Sequence, residues 1–293
     1  MILDGIVSMT RERLEQRKKL RPPEQVEGMA RALCAVPPSL PVLPSLPLPD
    51  AIGKPCPNGR FEEAIAGPGI SFICELKRAS PLKGLMAHDF PYLKIAKEYE
   101  DAGAAAISVI TEPDFFMGRD DYLREIAEKV NLPVLRKDFV IDAYQIYESK
   151  LLGASAVLLL CALLDKKTLS PFIKLAHGLG MAAIVGARNE RELDTVLEAG
   201  AHIVGVNHRD PVTLVVDIGL SLRLRPLVPG DLFFVAESGI KTADDVKSLA
   251  DCGVDAVLIS EVLMRGPDKK SCMDRLLGSD CTVNTRKRTH LVS

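Results

Sequence analysis

Eight short apolar segments, regularly separated by amphipathic ones, constrain the fold of this chain more than any other feature. The apolar segments have the length of strands and lie at residues 70–76, 104–110, 133–139, 154–160, 181–187, 202–207, 232–238 and 254–260. Helical patterns lie between them, and most of these end in a glycine suited to terminating a helix. Strands that are apolar throughout and alternate with helices are typical of a parallel sheet covered on both faces.

The number of these strand and helix units predicts the architecture. Eight units over roughly 200 residues fit a closed barrel better than an open doubly wound sheet, which usually has fewer strands and a glycine-rich dinucleotide turn. No G-x-G-x-x-G sequence follows the first strand. We therefore predict an α/β protein with a single (β/α)8 TIM barrel over residues 58–279, and we expect this barrel to carry the active site.

The two ends of the chain differ from the barrel. Residues 5–33 have helical spacing and predict an amphipathic N-terminal helical extension. The proline-rich sequence that follows, up to residue 57, predicts a semi-rigid linker, although residues 36–49 are also compatible with a docking segment for a partner domain. We expect residues 280–293 to form a basic, disordered tail.

Composition narrows the possible partners. The 37 lysines and arginines nearly balance the 39 aspartates and glutamates, giving a formal net charge of −2, so we expect neither nucleic acid nor a membrane as a partner. The N-terminus lacks the apolar core of a signal peptide. The seven cysteines form no C-x-x-C pair and no metal-ligand spacing with the five histidines, which predicts a cytoplasmic protein without a metal site. A small molecule is the expected partner, and protein partners are left open.

Three charges interrupt the third apolar segment, at Arg136, Lys137 and Asp138. In barrels of this class the chemistry lies at the C-terminal ends of the strands, so charges that end an apolar run indicate a site. Strand alternation puts Leu135, Lys137 and Phe139 on one face and the other two charged residues on the opposite face. We expect Lys137 to enter the barrel mouth and its charged neighbours to pair outside it.

Other strand ends carry polar residues in the same way. These residues are Glu75 and Lys77, Asn207 and Arg209, Glu237 with Ser238 and Gly239, and Ser260 with Glu261. Two lysines and two glutamates in one cavity are expected to shift each other's pKa values towards neutrality, which suits proton transfer. The alternative is an ion-pair network at the barrel rim. The loops after the seventh and eighth strands of a barrel often bind phosphate.

Several ordered motifs together resemble the indole-3-glycerol-phosphate synthase family, which closes the indole ring in tryptophan biosynthesis. The motifs are ILDGIV (2–7), ELKRASPLKG (75–84), PVLRKDFVID (133–142), GVNHRD (205–210), VAESGI (235–240) and VLISEVLM (257–264). They cover nearly the whole chain. The resemblance implies a carboxy-lyase without metal or organic cofactor that converts 1-(2-carboxyphenylamino)-1-deoxyribulose 5-phosphate to indole-3-glycerol phosphate, carbon dioxide and water.

The resemblance also implies residue roles. Lys137 would be the general acid at the substrate ketone, and Lys77 would meet the anthranilate carboxylate or help to expel the hydroxyl. Glu75 and Glu237 would hold these lysines charged and oriented, and Asn207 would position the sugar. The substrate and phosphate pockets would be lined by Ser80, Phe139, Arg209, Ser238, Gly239, Ser260 and Glu261.

The sequence departs from the family pattern at several strand ends. Gly186 stands where the family usually has a catalytic glutamate on strand five, and this loss predicts weakened activity. Glu190 and Glu75 are the candidate replacements. The turn after strand two has Met117, Gly118 and Arg119 instead of Gly-Gly-Ser, and strands six and eight differ at His208 and Ser260.

Three hypotheses follow. The chain is a working synthase, a divergent phosphate-ester-binding barrel with a changed reaction, or a non-catalytic homologue that uses its proline-rich segment to bind a partner.

The histidines contribute little to any of these hypotheses. His88, His177 and His202 are expected to be surface or rim residues, and His208 should face away from Asn207 and Arg209.

Overall fold

The N-terminal extension forms two helices. The computed structural model describes residues 2–35, 60–67, 69–210 and 213–278, so the predicted linker and tail, including 36–49 and 280–293, lie outside the described residues. Helix α1 spans Ile2–Leu20 and helix α2 spans Pro23–Ala35. The predicted helical stretch divides at Pro22 because proline has no N–H and restricts the residue before it, whereas Pro23 is tolerated in the first turn of α2.

All eight predicted strands are present. They are β1 Ser71–Leu76, β2 Ala106–Ile110, β3 Val134–Lys137, β4 Ala156–Leu160, β5 Ala182–Ala187, β6 Ile203–Asn207, β7 Phe233–Glu237 and β8 Ala256–Ile259. The remaining helices are α3 Arg60–Ile65, α4 Tyr92–Ala102, α5 Asp120–Lys129, α6 Ala143–Leu151, α7 Lys166–Gly178, α8 Glu190–Glu198, α9 Gly219–Leu224, α10 Ala243–Asp251, α11 Glu261–Arg265 and α12 Lys269–Leu277. A short hairpin pairs Ala79–Ser80 with Gly84–Leu85.

The eight strands close into one parallel barrel. Strand β1 pairs with β2 on one edge and with β8 on the other, where Ser71 lies opposite Ala256 and Cys74 lies opposite Ile259. Alternate residues of the strands fill the interior, and Phe61 of α3 is buried among them at the N-terminal end. The opposite residues of each strand pack against the surrounding helices. The predicted (β/α)8 barrel is confirmed.

Strand β3 separates its charges between the two faces, as the alternation predicts. Leu135 joins the interior core, whereas Arg136 points outward and is only 1% exposed. The Arg136 guanidinium lies 3.0 Å from Asp120 and 3.3 Å from Asp138, and its Nε donates to Thr111 Oγ1 at 3.1 Å. Burial lowers the pKa of Arg136, but the surrounding carboxylates outweigh this and raise it. The buried cation is therefore fully paired.

Ion pairs hold helix α1 against the barrel. Arg17 lies 2.7 Å from Asp120 and 3.0 Å from Glu148, and Lys18 lies 2.8 Å from Asp142. Not every apolar residue of α1 is buried, since Leu20 is 87% exposed. None of the helices within the described ranges is long and apolar enough to cross a membrane.

We predict that Arg136→Met lowers the free energy of unfolding by about 3–5 kcal/mol, because it leaves the buried Asp138 carboxylate without its cation. Denaturant unfolding monitored by circular dichroism measures this difference. Arg223→Met is the matched control, since Arg223 forms an exposed pair with Asp217 at 2.6 Å and should change stability little. Equal effects of the two substitutions would contradict the structural importance of the Arg136 network.

Candidate active site

A cavity of about 730 Å³ opens at the C-terminal ends of the barrel strands. Its wall contains all twelve residues that the sequence analysis selected: Glu75, Lys77, Ser80, Lys137, Phe139, Asn207, Arg209, Glu237, Ser238, Gly239, Ser260 and Glu261. Ile2, Leu3 and Ile6 of α1 contribute apolar wall on the outer side. The N-terminal extension therefore covers part of the barrel mouth, a position that its sequence permits but does not specify.

Two lysines and two glutamates alternate across this cavity. Lys77 Nζ lies 2.6 Å from Glu75 Oε1, and Lys137 Nζ lies 3.6 Å from Glu75 Oε2 and 3.1 Å from Glu237 Oε2. The Glu75 side chain is 2% exposed, and both lysine side chains are about one-fifth exposed. Each buried charge thus has an oppositely charged neighbour, which offsets the cost of removing it from water.

The mutual pairing shifts the pKa values away from neutrality, so the predicted direction was wrong. Burial raises the pKa of Glu75, but the nearby Lys77 and Lys137 outweigh burial and hold it below its ordinary value. Burial lowers the pKa of Lys137, but Glu237 and Glu75 raise it well above the ordinary lysine value. Opposite charges at these distances favour the charged forms. Glu75 and Lys137 are therefore ionised at neutral pH.

The loop after β7 has a backbone that requires glycine at one position. Ser238 has φ 73° and Gly239 has φ 78°. A Cβ atom on Gly239 would lie 2.1 Å from Val216 Cγ1, so a side chain is excluded by space as well as by conformation. Across the mouth, the Ser260 hydroxyl donates a hydrogen bond of 3.4 Å to the Glu75 carbonyl oxygen. This contact joins the end of β8 to the charged cluster.

Several cations in the cavity wall were not selected from the sequence. Lys83, Lys241 and Arg265 line the cavity beside the predicted Arg209. Lys83 lies 3.6 Å and Arg265 lies 3.4 Å from the Glu261 carboxylate. Proximity to a strand end was the available signal, since Lys83 follows β1 by seven residues and Lys241 follows Gly239 by two. The loops at the mouth therefore supply a positive rim.

Gly186 also lines the cavity, and the pair Arg188 and Glu192 lies beside it. Arg188 Nε donates to Glu192 Oε1 at 3.0 Å, and the Arg188 backbone N–H donates to Glu192 Oε2 at 2.9 Å. Glu190, one of the suggested replacement bases, is not among the lining residues; it begins helix α8. Glu192 is the carboxylate that α8 places in the cavity wall.

The histidines fall into two groups. His208 is buried behind the cavity wall and faces away from it, as expected: its Nδ1 lies 2.8 Å from the Ser238 carbonyl oxygen and its Nε2 lies 2.7 Å from Ser221 Oγ. The carbonyl can only accept, so Nδ1 carries the proton. His177 is half-buried and His202 is exposed, in line with the expected surface or rim positions, and a ring nitrogen of each lies close to a Glu62 carboxylate oxygen at the other end of the barrel.

A closed parallel barrel with a charged cavity at the C-terminal strand ends defines a (β/α)8-barrel enzyme class. Within this class, the sequence model of a protein family described as indole-3-glycerol phosphate synthase matches residues 47–276. The chain belongs to the indole-3-glycerol phosphate synthase family, and the resemblance of its motifs is confirmed.

Individual relatives agree with this assignment. Indole-3-glycerol phosphate synthase from Ruminiclostridium cellulolyticum is 55% identical over 219 residues, which cover 75% of this chain and 84% of that protein. The enzyme of the same name from Lachnoclostridium phytofermentans is 45% identical over 274 residues, covering 92% of this chain and 96% of that protein. The structure of 3-hexulose-6-phosphate synthase from Salmonella typhimurium has a TM-score of 0.58 at 16% identity, covering 71% of this chain and 96% of that chain, and shows the same fold.

We predict that the stability of this chain falls as pH decreases below the ordinary histidine pKa of 6.5, partly through His208. Burial lowers the pKa of His208, so the unfolded chain binds its proton at a higher pH than the folded chain does. One such group contributes at most about 1.4 kcal/mol per pH unit. Unfolding free energies measured from pH 7.5 to pH 5.5 should fall less steeply for His208→Asn than for the unaltered chain. An equal slope would show that His208 titrates alike in both states.

Proposed function

We propose that this chain closes the indole ring of 1-(2-carboxyphenylamino)-1-deoxyribulose 5-phosphate, giving indole-3-glycerol phosphate, carbon dioxide and water. The observation that carries the proposal is the alternating array of Lys77, Glu75, Lys137 and Glu237 in the wall of one cavity. Family membership supports this reaction, because the relatives that match most of the chain bear the name of this synthase. The substrate is a phosphorylated small molecule.

The cavity wall suits the two ends of this substrate. The positive rim of Lys83, Arg209, Lys241 and Arg265 favours a phosphate dianion, and the loops with Ser238, Gly239, Ser260 and Glu261 are the proposed phosphate and sugar site. Ser80 lies in the same wall, on the loop that carries Lys83. On another side, Phe116 and Phe139 place their ring centroids 6.1 Å apart, which offers apolar surface for an aromatic ring.

Lys137 is the proposed general acid in the ring-closing step. The ring carbon that carries the carboxylate forms a bond to the ketone carbon, and the ketone oxygen takes a proton from Lys137. The raised pKa keeps Lys137 protonated before the reaction. Proton transfer remains favourable because an alkoxide is far more basic than a lysine amine. Glu75 and Glu237 fix the direction of the ammonium group, and Asn207 is proposed to position the sugar.

Two further bond changes complete the reaction. Loss of carbon dioxide returns an electron pair to the ring and restores its aromatic character. The new hydroxyl then leaves with a proton as water, while a proton is lost from the substrate, and Lys77 is proposed to bind the carboxylate or to assist the departing hydroxyl. This dehydration requires an acid and a base. The β5 end supplies no carboxylate at Gly186, so we propose that dehydration limits the rate.

Glu192 is the proposed substitute base, because it is the carboxylate nearest in sequence to Gly186 that lines the cavity. Its two oxygens already accept hydrogen bonds from Arg188. A carboxylate in this ion pair must give up hydrogen bonds from Arg188 before it can take a proton from the substrate. We therefore propose that this chain turns over its substrate more slowly than a chain with a glutamate at position 186 would.

We predict that Lys137→Ala lowers kcat by about 10²–10⁴-fold, the contribution expected of a positioned general acid. Formation of the indole product, followed by its fluorescence, measures this effect. Lys97→Ala is the control, since Lys97 is an exposed helix residue paired with Glu100 and Asp101 and should leave kcat unchanged. Full activity of folded Lys137→Ala protein would exclude the proposed role of this lysine.

We predict that Gly186→Glu raises kcat about tenfold or more, because it supplies a carboxylate at the strand-five end. A Cβ atom at this position would lie 2.9 Å from Leu160 Cδ2, the far end of a flexible side chain that can rotate away. Gly186→Gln is the matched control for shape without charge, and Glu192→Gln tests the proposed substitute. Among these variants, turnover should rise only in Gly186→Glu, and it should fall in Glu192→Gln.

The outcomes of this comparison separate the three hypotheses. Turnover by the unaltered chain, with a further loss in Glu192→Gln, supports the proposed mechanism. Turnover by Gly186→Glu alone would show an intact scaffold with an inactive natural chain. Absence of product from every folded variant would exclude synthase activity and favour a changed ligand or a binding role.

A further inference from the structure

A second group of ionisable side chains lies at the N-terminal end of the barrel, away from the active-site cavity. Glu62 belongs to α3, His177 lies near the end of α7, and His202 immediately precedes β6. One ligand atom from each of the three lies within 4.8 Å of the other two. The His202 Nδ1 atom is 3.7 Å from Glu62 Oε1, and the two imidazole rings have centroids 4.6 Å apart.

One polar atom of this group has no hydrogen-bond partner within the described part of the chain. This atom is the buried Nε2 of His177. Buried polar atoms of native proteins are nearly always paired, so this nitrogen, on a ring beside a second imidazole and a carboxylate, has the capacity to bind a ligand. The Glu62 side chain is 14% exposed, whereas His202 is 56% exposed, which leaves the group open to solvent on one side.

The protonation states suit coordination of a cation. Burial and the neighbouring His202 lower the pKa of His177, so its ring is neutral at pH 7 and keeps a free lone pair. Burial raises the pKa of Glu62, and Glu63 adds to this, but His202 opposes it. A bound cation would favour the Glu62 carboxylate form and compensate its removal from water. Two imidazoles and one carboxylate form a donor set typical of transition metals.

We propose that Glu62, His177 and His202 bind one divalent transition-metal ion, such as Zn²⁺, at the N-terminal end of the barrel, with water in the remaining position. Two histidines and one glutamate form a known three-ligand set for zinc. Tetrahedral coordination requires donor atoms about 3.4 Å apart, given Zn–N and Zn–O bonds of about 2.1 Å. The group must therefore contract, and the exposed His202 side chain is free to rotate towards the other two.

The position of the group assigns this ion a structural role. Helix α3 carries Phe61 and Ile65 into the N-terminal end of the barrel core, while His177 lies near the end of the helix that follows β4 and His202 immediately precedes β6. An ion bound by all three residues would link helix α3 to the wall of the barrel. The site is separate from the proposed chemistry, which occupies the C-terminal strand ends, so metal binding should affect stability and leave turnover unchanged.

The first test is Zn²⁺ titration of the full chain, freed of any histidine tag and treated with a chelator, by isothermal calorimetry at pH 7.5. We expect one equivalent to bind and the unfolding midpoint to rise with Zn²⁺ concentration. Co²⁺ should give an absorption spectrum of nitrogen and oxygen ligation, without the near-ultraviolet band of cobalt thiolate. This spectrum distinguishes the proposed site from binding by any of the seven cysteines.

Variants locate the ion. His202→Ala and Glu62→Gln should each weaken Zn²⁺ binding at least tenfold and remove the rise in the unfolding midpoint, because each deletes one ligand. His88→Ala is the matched control, since it removes a histidine outside the group and should retain binding. Any one of three results would overturn the proposal. These are the absence of saturable Zn²⁺ binding, equal Zn²⁺ affinity of His202→Ala and the unaltered chain, and a cobalt thiolate band with Co²⁺.

Discussion

Closure of the parallel sheet is the constraint on which the rest of this molecule depends. Strand β1 hydrogen bonds on both edges, to β2 and β8, so every strand has one side facing a filled interior and one side facing helices. Because all strands run in the same direction, their C-terminal ends meet at one mouth. Residues far apart in sequence, such as Lys77, Lys137 and Glu237, therefore share a cavity without any local motif joining them.

The two faces of β3 show how the same barrel handles charge in two ways. Outside, Arg136 is surrounded by carboxylates and hydroxyls, and this network anchors α5, α6 and, through Arg17, helix α1. Inside, Lys137 has Glu75 and Glu237 as its ionic partners among the described residues and remains exposed enough to meet a ligand. The outer network is saturated and structural. The inner one keeps hydrogen-bonding capacity, since the Oε2 atom of Glu75 has no hydrogen-bond partner among the described residues.

Sequence periodicity predicts what the barrel itself dictates. The eight strands and the polar residues that end them, such as Glu75, Lys137 and Asn207, follow from a period of two and a common direction, which are properties of the chain alone. Ser80 was selected only through the family resemblance. Lys83 lies in the turn of the short hairpin and Arg265 ends helix α11, where the alternation of a strand does not relate a residue to the cavity. The direction of the pKa shifts depends on distances of 3 to 4 Å between separate strands. The group of Glu62, His177 and His202 joins positions 115 and 140 residues apart, beyond any spacing rule for metal ligands.

The β5 end illustrates how reaction chemistry can change while the barrel stays intact. Gly186 lies opposite Gly205 of the neighbouring strand β6, and both line the cavity. These two paired glycines leave the cavity wall without side chains at this point. The hydrogen bonds of the sheet are made by the backbone and do not depend on side chains at these positions. The stability of the barrel therefore places little restriction on position 186, whereas dehydration of the substrate requires a base near it. A glutamate at position 186 would therefore change the proposed dehydration while the pairing of β5 with its neighbours stays the same.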